Sequence, residues 1–355
     1  MSTVGIISYR LGGVDGVSVE AEKWARAFAR LGFEVTRIAG SGSTGSSGPP
    51  IELVAGLGID DTGPVDIDAL RRALDGLDVV VVENLCSLPL NPNAGEAVAT
   101  ALRGRPAIMR HHDLAWHRED TSRLSGPPDD PAWIHATINK RNVSELAERG
   151  IAATCLYNRF EMEPSLGDRD ATRRALGISA NTFLVLQPTR ALPRKNVPGG
   201  LSLAEHLGAS YWLTAAAEDG FGPELDRILA GATVPILRGQ GPGSIDDAYG
   251  ASDLVVLPST WEGFGNPAIE AVTHQRPLAL GHYPVAEEIR SFGFAFFDPE
   301  DPEPIATWLA NPDKEIIEKN LSIARAHFDI DELPQELDAL LDRLGIISPG
   351  SNGDR

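Results

Sequence analysis

Glu262 and Glu270 stand eight positions apart around a glycine-bearing turn, and their spacing is the richest source of chemistry in the chain. Residues 261–271 read WEGFGNPAIEA and follow an apolar run, 253–258, with the pattern of a buried strand. Pro267 suits the first helical position and Asn266 the N-cap. Gly263, Phe264, Gly265 and Asn266 then make a turn that aims backbone N–H groups at an anion, with the helix dipole adding to the attraction. The two carboxylates accept hydrogen bonds well from sugar hydroxyls. A phosphate-attracting turn between two hydroxyl acceptors describes a nucleotide-sugar site; the plainer alternative is a capped helix with acidic residues near its start.

Two other stretches gather chemistry at strand ends. Residues 188–196, PTRALPRKN, follow the apolar run 182–187 and set Arg190, Arg194 and Lys195 together, a local anion pocket in an acidic chain. Residues 110–118, RHHDLAWHR, follow a strand at 106–109 and bring three histidines, Asp113, Arg110 and Arg118 to one place. Histidine and aspartate are competent metal ligands, but adjacent histidines on an extended chain point to opposite sides and no cysteine joins them, so no metal is expected. A substrate-contacting loop and a solvated polar loop both stay open. Glu83 and Asn84 end the apolar run 78–82, where open α/β sheets bind ligands; polar capping of a strand end is the other use of such residues.

The elements that must position these groups alternate regularly. Residues 4–9 form a strand, 10–16 a glycine loop with Gly12, Gly13 and Asp15, 17–31 an amphipathic helix closed by Gly32, and 33–39 a second strand. This βαβ unit predicts a parallel sheet. Its glycines do not spell the dinucleotide fingerprint, which argues against a dehydrogenase. Strand and helix patterns continue to a last first-half strand at 151–157, and the polar stretch 158–170 is the expected linker. The second half restarts the alternation, with later strands expected at 277–280 and 294–297 and helices at 303–309, 313–326 and 332–344. The Gly/Ser/Thr/Pro-rich residues 41–50 read as a mobile loop, and 348–355 as a disordered tail.

Composition narrows the field. A chain of 355 residues accommodates two domains with separate cores. Lys+Arg total 31 against 50 Asp+Glu, and the net charge of -19 disfavours nucleic acid or an anionic membrane as partner. Two cysteines without paired spacing, an N-terminus that enters a strand at once and no apolar run of membrane-spanning length point to a cytoplasmic protein.

The EGFG turn with its second glutamate, preceded by Arg190 and Lys195 in an R-x4-K spacing, resembles the retaining GT-B glycosyltransferases of the family-4, E-x7-E type. The resemblance implies an α/β fold of two Rossmann-like domains with parallel sheets facing each other across a cleft. An acceptor domain would span 1–160, a nucleotide-sugar donor domain 161–331, and the helix 332–344 would return to the first. It implies transfer of a sugar from a nucleoside-diphosphate sugar to an acceptor hydroxyl with retained anomeric configuration, needing neither cofactor nor metal. Arg190 and Lys195 would grip the diphosphate, with Arg194 a solvated neighbour able to substitute for either. The 263–266 turn would assist them, Glu270 would bind ribose and Glu262 the transferred sugar. His112, or His111 in its place, would face that sugar. Gly12, Gly13, Asp15 and Arg118 would face the acceptor or the sugar, the acidic Asp15 favouring a polyol over an anionic acceptor. A sugar-nucleotide epimerase and a non-catalytic binding protein on the same fold are the alternatives.

Overall fold

The computed structural model describes residues 2–13, 15–42, 50–117, 126–239 and 241–350. The chain forms two compact units, Met1–Arg159 with Asp331–Arg355, and Phe160–Ile330.

The first unit is built on seven parallel strands: β1 (Thr3–Leu11), β2 (Glu34–Gly42), β3 (Ile51–Leu53), β4 (Val79–Glu83), β5 (Ala107–His111), β6 (Trp133–Thr137) and β7 (Ala153–Cys155). Their order is β3-β2-β1-β4-β5-β6-β7, so the winding reverses between β1 and β4. β4 shows why an unbroken apolar run belongs in such a sheet. Its alternate side chains enter two cores, Val79 and Val81 joining Ile6, Trp24 and Phe28, and Val80 and Val82 joining Ile7, Leu70 and Val98. The helix Leu333–Arg343 adds Leu333, Leu337, Leu340 and Leu341 to the first of these cores. Each buried leucine is worth about 1.5–3 kcal/mol, which ties the end of the chain to this unit.

The second unit carries five parallel strands: β8 (Leu184–Gln187), β9 (Ser210–Leu213), β10 (Ile236–Arg238), β11 (Leu254–Leu257) and β12 (Leu278–Leu280). The order is β10-β9-β8-β11-β12, with its reversal between β8 and β11. Open α/β sheets take ligands outside the strand ends at such a reversal. The residues that follow β1, β4, β8 and β11 are those the sequence marks for chemistry.

Several expectations need correction. The helix after β11 runs Asn266–Thr273, so Gly265 rather than Asn266 is its N-cap. Gly265 is left-handed (φ 92°, ψ 56°) and no side chain caps the helix. Residues 294–297 make no strand: a lone bridge joins Ala279 to Phe297, and Phe294 instead stacks on Phe296 and packs near Phe328. A helix unforeseen in the sequence, Pro284–Arg290, follows β12. Ser41 and Gly42 belong to β2, while 43–49 lie outside the described residues. The tail is ordered through 350, because buried Ser348 donates to Asp338 and the Gly350 N–H to the Leu31 carbonyl at 2.9 Å; 351–355 lie outside the described residues. Among the described residues no helix is long and apolar enough to cross a membrane.

Candidate active site

In the second unit the site begins with buried Gln187 at the end of β8. Its amide donates to the Lys195 carbonyl at 2.9 Å, and the Tyr211 hydroxyl donates to it at 2.6 Å. This anchors a 3₁₀ turn, Pro193–Lys195. Asn196, left-handed at φ 49°, then caps the helix Val197–His206 by accepting from the Gly199 N–H at 3.2 Å. The turn presents Arg194 and Lys195 to Glu262. Arg194 Nη1 donates to Glu262 Oε2 at 2.8 Å and to the Trp261 carbonyl at 3.0 Å. Lys195 Nζ and Ser259 Oγ both donate to Glu262 Oε1, the latter at 2.6 Å.

Glu262 is 5% exposed and Lys195 8%. Burial pushes the Glu262 carboxyl up, but the Lys195 and Arg194 charges outweigh it and hold the group below its ordinary range. Burial draws the Lys195 ammonium down, against the pull of Glu262. Two cations on one ionised carboxylate leave a surplus positive charge at the switch point of an acidic protein. Arg190 is not in this triad: its Nη1 donates to Glu218 at 2.6 Å on the surface. Arg194, expected as a solvated neighbour able to substitute for Arg190 or Lys195, is instead a member of the triad.

The turn after Glu262 requires glycine at 265. A Cβ there would lie 2.6 Å from the Tyr283 hydroxyl, and the positive φ is already unfavourable to a side chain. Tyr283 is 3% exposed, and its hydroxyl has no hydrogen-bond partner among the described residues. The Phe264 ring turns inward, stacked 6.0 Å from Phe160 and edge-on to Phe328, so any part it plays with a ligand falls to its backbone. Glu270, half-buried on the helix, accepts from the Tyr249 hydroxyl at 2.7 Å. Tyr249 is fully buried and stacked on His274 at 4.5 Å, which makes it a rigid prop for that carboxylate.

In the first unit, Glu83 and Arg110 are neighbours in the β4–β5 register. Arg110 Nη1 donates to Glu83 Oε1 at 3.0 Å, and Nη2 to Glu20 and Asn158, each at 3.1 Å. The guanidinium lies 4.2 Å over the Trp24 ring. Lys23 completes the network by donating to Glu20 Oε1 at 2.6 Å. Glu83 Oε2 is 2.6 Å from His112 Nε2. Burial pushes the Glu83 carboxyl up, and Arg110 and His112 together bring it below its ordinary value. Asn84, left-handed at φ 58°, accepts from the backbone N–H groups of His112 and Asp113 at 3.0 and 3.1 Å, which fixes the turn.

The two adjacent histidines have different surroundings. His111 is fully buried, with Nδ1 2.6 Å from Ser87 Oγ and Nε2 2.8 Å from His135 Nδ1; His135 reaches Asp129 at 3.1 Å. The rings stack at 5.1 Å, and burial pushes both below the ordinary histidine value. Both nitrogens of His111 are therefore used inside the core, whereas His112 Nδ1 has no partner among the described residues.

The loop after β1 turns at Gly12, φ 75°. A Cβ on Gly13 would meet Asp15 Oδ2 at 3.1 Å. Asp15 caps the helix Gly16–Arg30, accepting from Ser18 N at 3.2 Å and Ser18 Oγ at 2.8 Å, and pairs with Arg10 at 3.2 Å. Its charge is partnered locally by Arg10 and Ser18. Arg118 lies outside the described residues. Among the described residues no group of three metal-competent side chains converges.

The missed participants left uneven signals. Three cations within six residues marked the Arg194 turn; nothing marked Tyr283 or Tyr249, whose proximity to the site is tertiary.

Two α/β units with parallel sheets and charged residues at the strand ends, one of them holding a cationic cluster beside a helix N-terminus, define the class: a two-domain Rossmann-like protein. Residues 168–311, which hold that cluster, match the family described as Glycosyl transferases group 1, and the chain is a glycosyltransferase carrying a domain of that group. Mannosylglucosylglycerate synthase of Thermotoga maritima is 24% identical over 417 aligned positions, covering 93% of this chain and 97% of that protein. D-inositol 3-phosphate glycosyltransferase of Mycolicibacterium paratuberculosis is 25% identical over 329, covering 78% and 72%. Among solved structures, Anabaena HepE in complex with UDP-glucose superposes with a TM-score of 0.73 at 18% identity, covering 97% of this chain and 100% of that one. Sucrose-phosphate synthase of Thermosynechococcus elongatus gives 0.71 at 14% identity, covering 97% and 99%. The fold is GT-B.

Proposed function

We propose that the protein moves a sugar from a nucleoside-diphosphate sugar to a hydroxyl of a small polyol or sugar, with retention of anomeric configuration and without a resident metal. The observation that carries this reading is the Arg194–Lys195–Glu262 triad beside the Gly265-capped helix, a fixed surplus of positive charge where a leaving diphosphate gains negative charge. Lys195, Arg194, Arg190 and the N–H groups of Gly263, Phe264, Gly265 and Asn266 neutralise that growing charge. Such an interaction is stronger in the transition state than in the ground state and so accelerates the reaction. Glu270, propped by Tyr249, accepts from the ribose hydroxyls. Glu262 and His112 accept from the transferred sugar, and Gly12, Gly13 and Asp15 line the acceptor side. These three cations and a helix terminus do at the diphosphate what a divalent ion does in other transferases.

The relatives support this reading. Two are named for making a glyceric acid glycoside and for glycosylating an inositol phosphate, both small hydroxyl-rich compounds, and HepE was crystallised with UDP-glucose. The test is incubation with UDP-glucose and a panel of polyols, followed by proton NMR. Release of UDP with formation of an α-glucoside is expected. A β-glucoside would contradict retention, and an epimerised nucleotide sugar without UDP release would contradict transfer.

A further inference from the structure

We propose that Glu83 is a positioning residue that holds His112 as its Nε2–H tautomer, so that Nδ1 is presented as a hydrogen-bond acceptor for a ligand hydroxyl. The inference rests on the reading of His112 as a ligand-facing residue; its geometry does not.

An ionised carboxylate accepts hydrogen bonds and donates none. Glu83 is completely buried, and its two oxygens have one strong partner each: Arg110 Nη1 on Oε1 at 3.0 Å and His112 Nε2 on Oε2 at 2.6 Å. A contact that short requires a proton between the atoms, and it belongs to Nε2. The charge count agrees. Glu20 and Glu83 are balanced by Lys23 and Arg110 within one hydrogen-bonded group, so a neutral imidazole leaves the buried cluster neutral and an imidazolium would give it an excess charge. Asn84 fixes the backbone from the other side, holding His112 N and Asp113 N on one oxygen. The ring is thus fixed in place with a lone pair on Nδ1. Such an atom takes a hydrogen bond from a hydroxyl and has none to give to a phosphate oxygen, which assigns His112 to sugar or polyol recognition. An imidazolium would be suited to phosphate.

Glu83→Gln tests this without changing shape. A glutamine has one acceptor and one donor end. Arg110 requires the acceptor, so the amide NH₂ faces His112 Nε2 and drives the imidazole proton to Nδ1. Long-range proton–nitrogen correlation on the full chain labelled with ¹⁵N-histidine, recorded at pH 8 and with His112 assigned through His112→Gln, reads the tautomer directly. The expected result is Nε2–H in the wild type and Nδ1–H in Glu83→Gln. Wild-type His112 protonated at Nδ1, or at both nitrogens, would overturn the inference even if the variant fails to fold. So would an unchanged tautomer in a folded variant. Nucleotide binding in the second unit is measured separately, so a protein that binds no nucleoside diphosphate counts against the proposed reaction and not against the tautomer. With the inverted tautomer, transfer from UDP-glucose should fall at least tenfold; undiminished transfer would show that Nδ1 does not meet the substrate.

Discussion

Lys195→Ala probes the triad most sharply, because the structure gives that side chain a structural role as well as a chemical one. Removing one partner of a buried ion pair costs about 3–5 kcal/mol when the stranded charge has no other help. Glu262 keeps Arg194 at 2.8 Å and Ser259 at 2.6 Å, so the cost falls to about 2 kcal/mol. For a domain of 150–250 residues each kcal/mol moves the melting temperature by about 2–4 °C, which gives about 4–8 °C for the transition of the second unit. Glu262→Gln, which leaves two cations facing each other, should cost a similar amount. The double variant should lose less than the sum, with a coupling of about 1–2 kcal/mol. Calorimetric scans of the four proteins, backed by urea titrations, measure all of this. A Lys195→Ala melting point within about 1 °C of wild type, or a double variant that loses the full sum, would refute the triad as an energetic unit.

Gly265→Ala should destabilise by about 1–3 kcal/mol through its positive φ and the contact with Tyr283; Tyr283→Phe should leave the wild-type melting temperature unchanged or higher, since its hydroxyl has no partner to lose, and should partly rescue Gly265→Ala in the double variant. Glu270→Ala should weaken nucleotide binding at least tenfold in calorimetric titration while costing only about 1 kcal/mol of stability, the loss of one acceptor for Tyr249. Stability should fall as pH drops below about 6.5, because the unfolded chain then protonates His111 and His135 while the folded one, with both pKa values depressed, does not; the slope reaches about 1.4 kcal/mol per pH unit for each histidine. His282, whose pKa is raised by Glu287 and then Asp298, acts in the opposite sense but is half-exposed and screened. Urea titrations from pH 8 to 5 on wild type and His135→Asn should give the shallower slope in the variant, and equal slopes would contradict this account.

The sheets were legible because a strand buried on both faces needs an apolar run, and runs such as 79–82 and 254–257 have no other economical use. The last helix was legible for the same reason, its leucines recurring on one face. What escaped was set by tertiary packing. Residues 294–297 have the composition of a strand, yet their aromatic rings find partners in Phe328 and in each other, and only Phe297 bonds to a strand. Asn266 is a good N-cap by type, but Gly265 takes the left-handed turn one residue earlier. The cluster of cations at 190–195 was legible as a group, although spacing does not record which cation meets Glu262. The 3₁₀ geometry of Pro193–Lys195 decides that, sending Arg194 and Lys195 one way and leaving Arg190 with Glu218. His111 and His112 were indistinguishable in sequence because the difference between them lies in Ser87, His135 and Glu83, which come from separate segments.

The most direct test of the central claim is thermal melting of the purified protein with UDP, GDP, ADP, TDP and CDP, each with and without EDTA. A ligand at a hundredfold excess over its dissociation constant adds about 2.7 kcal/mol of stability. Stabilisation by one diphosphate above the others, unaltered by EDTA and lost in Lys195→Ala, is the predicted result and would name the donor base. Absence of a shift with all five would contradict a nucleoside-diphosphate site in the second unit.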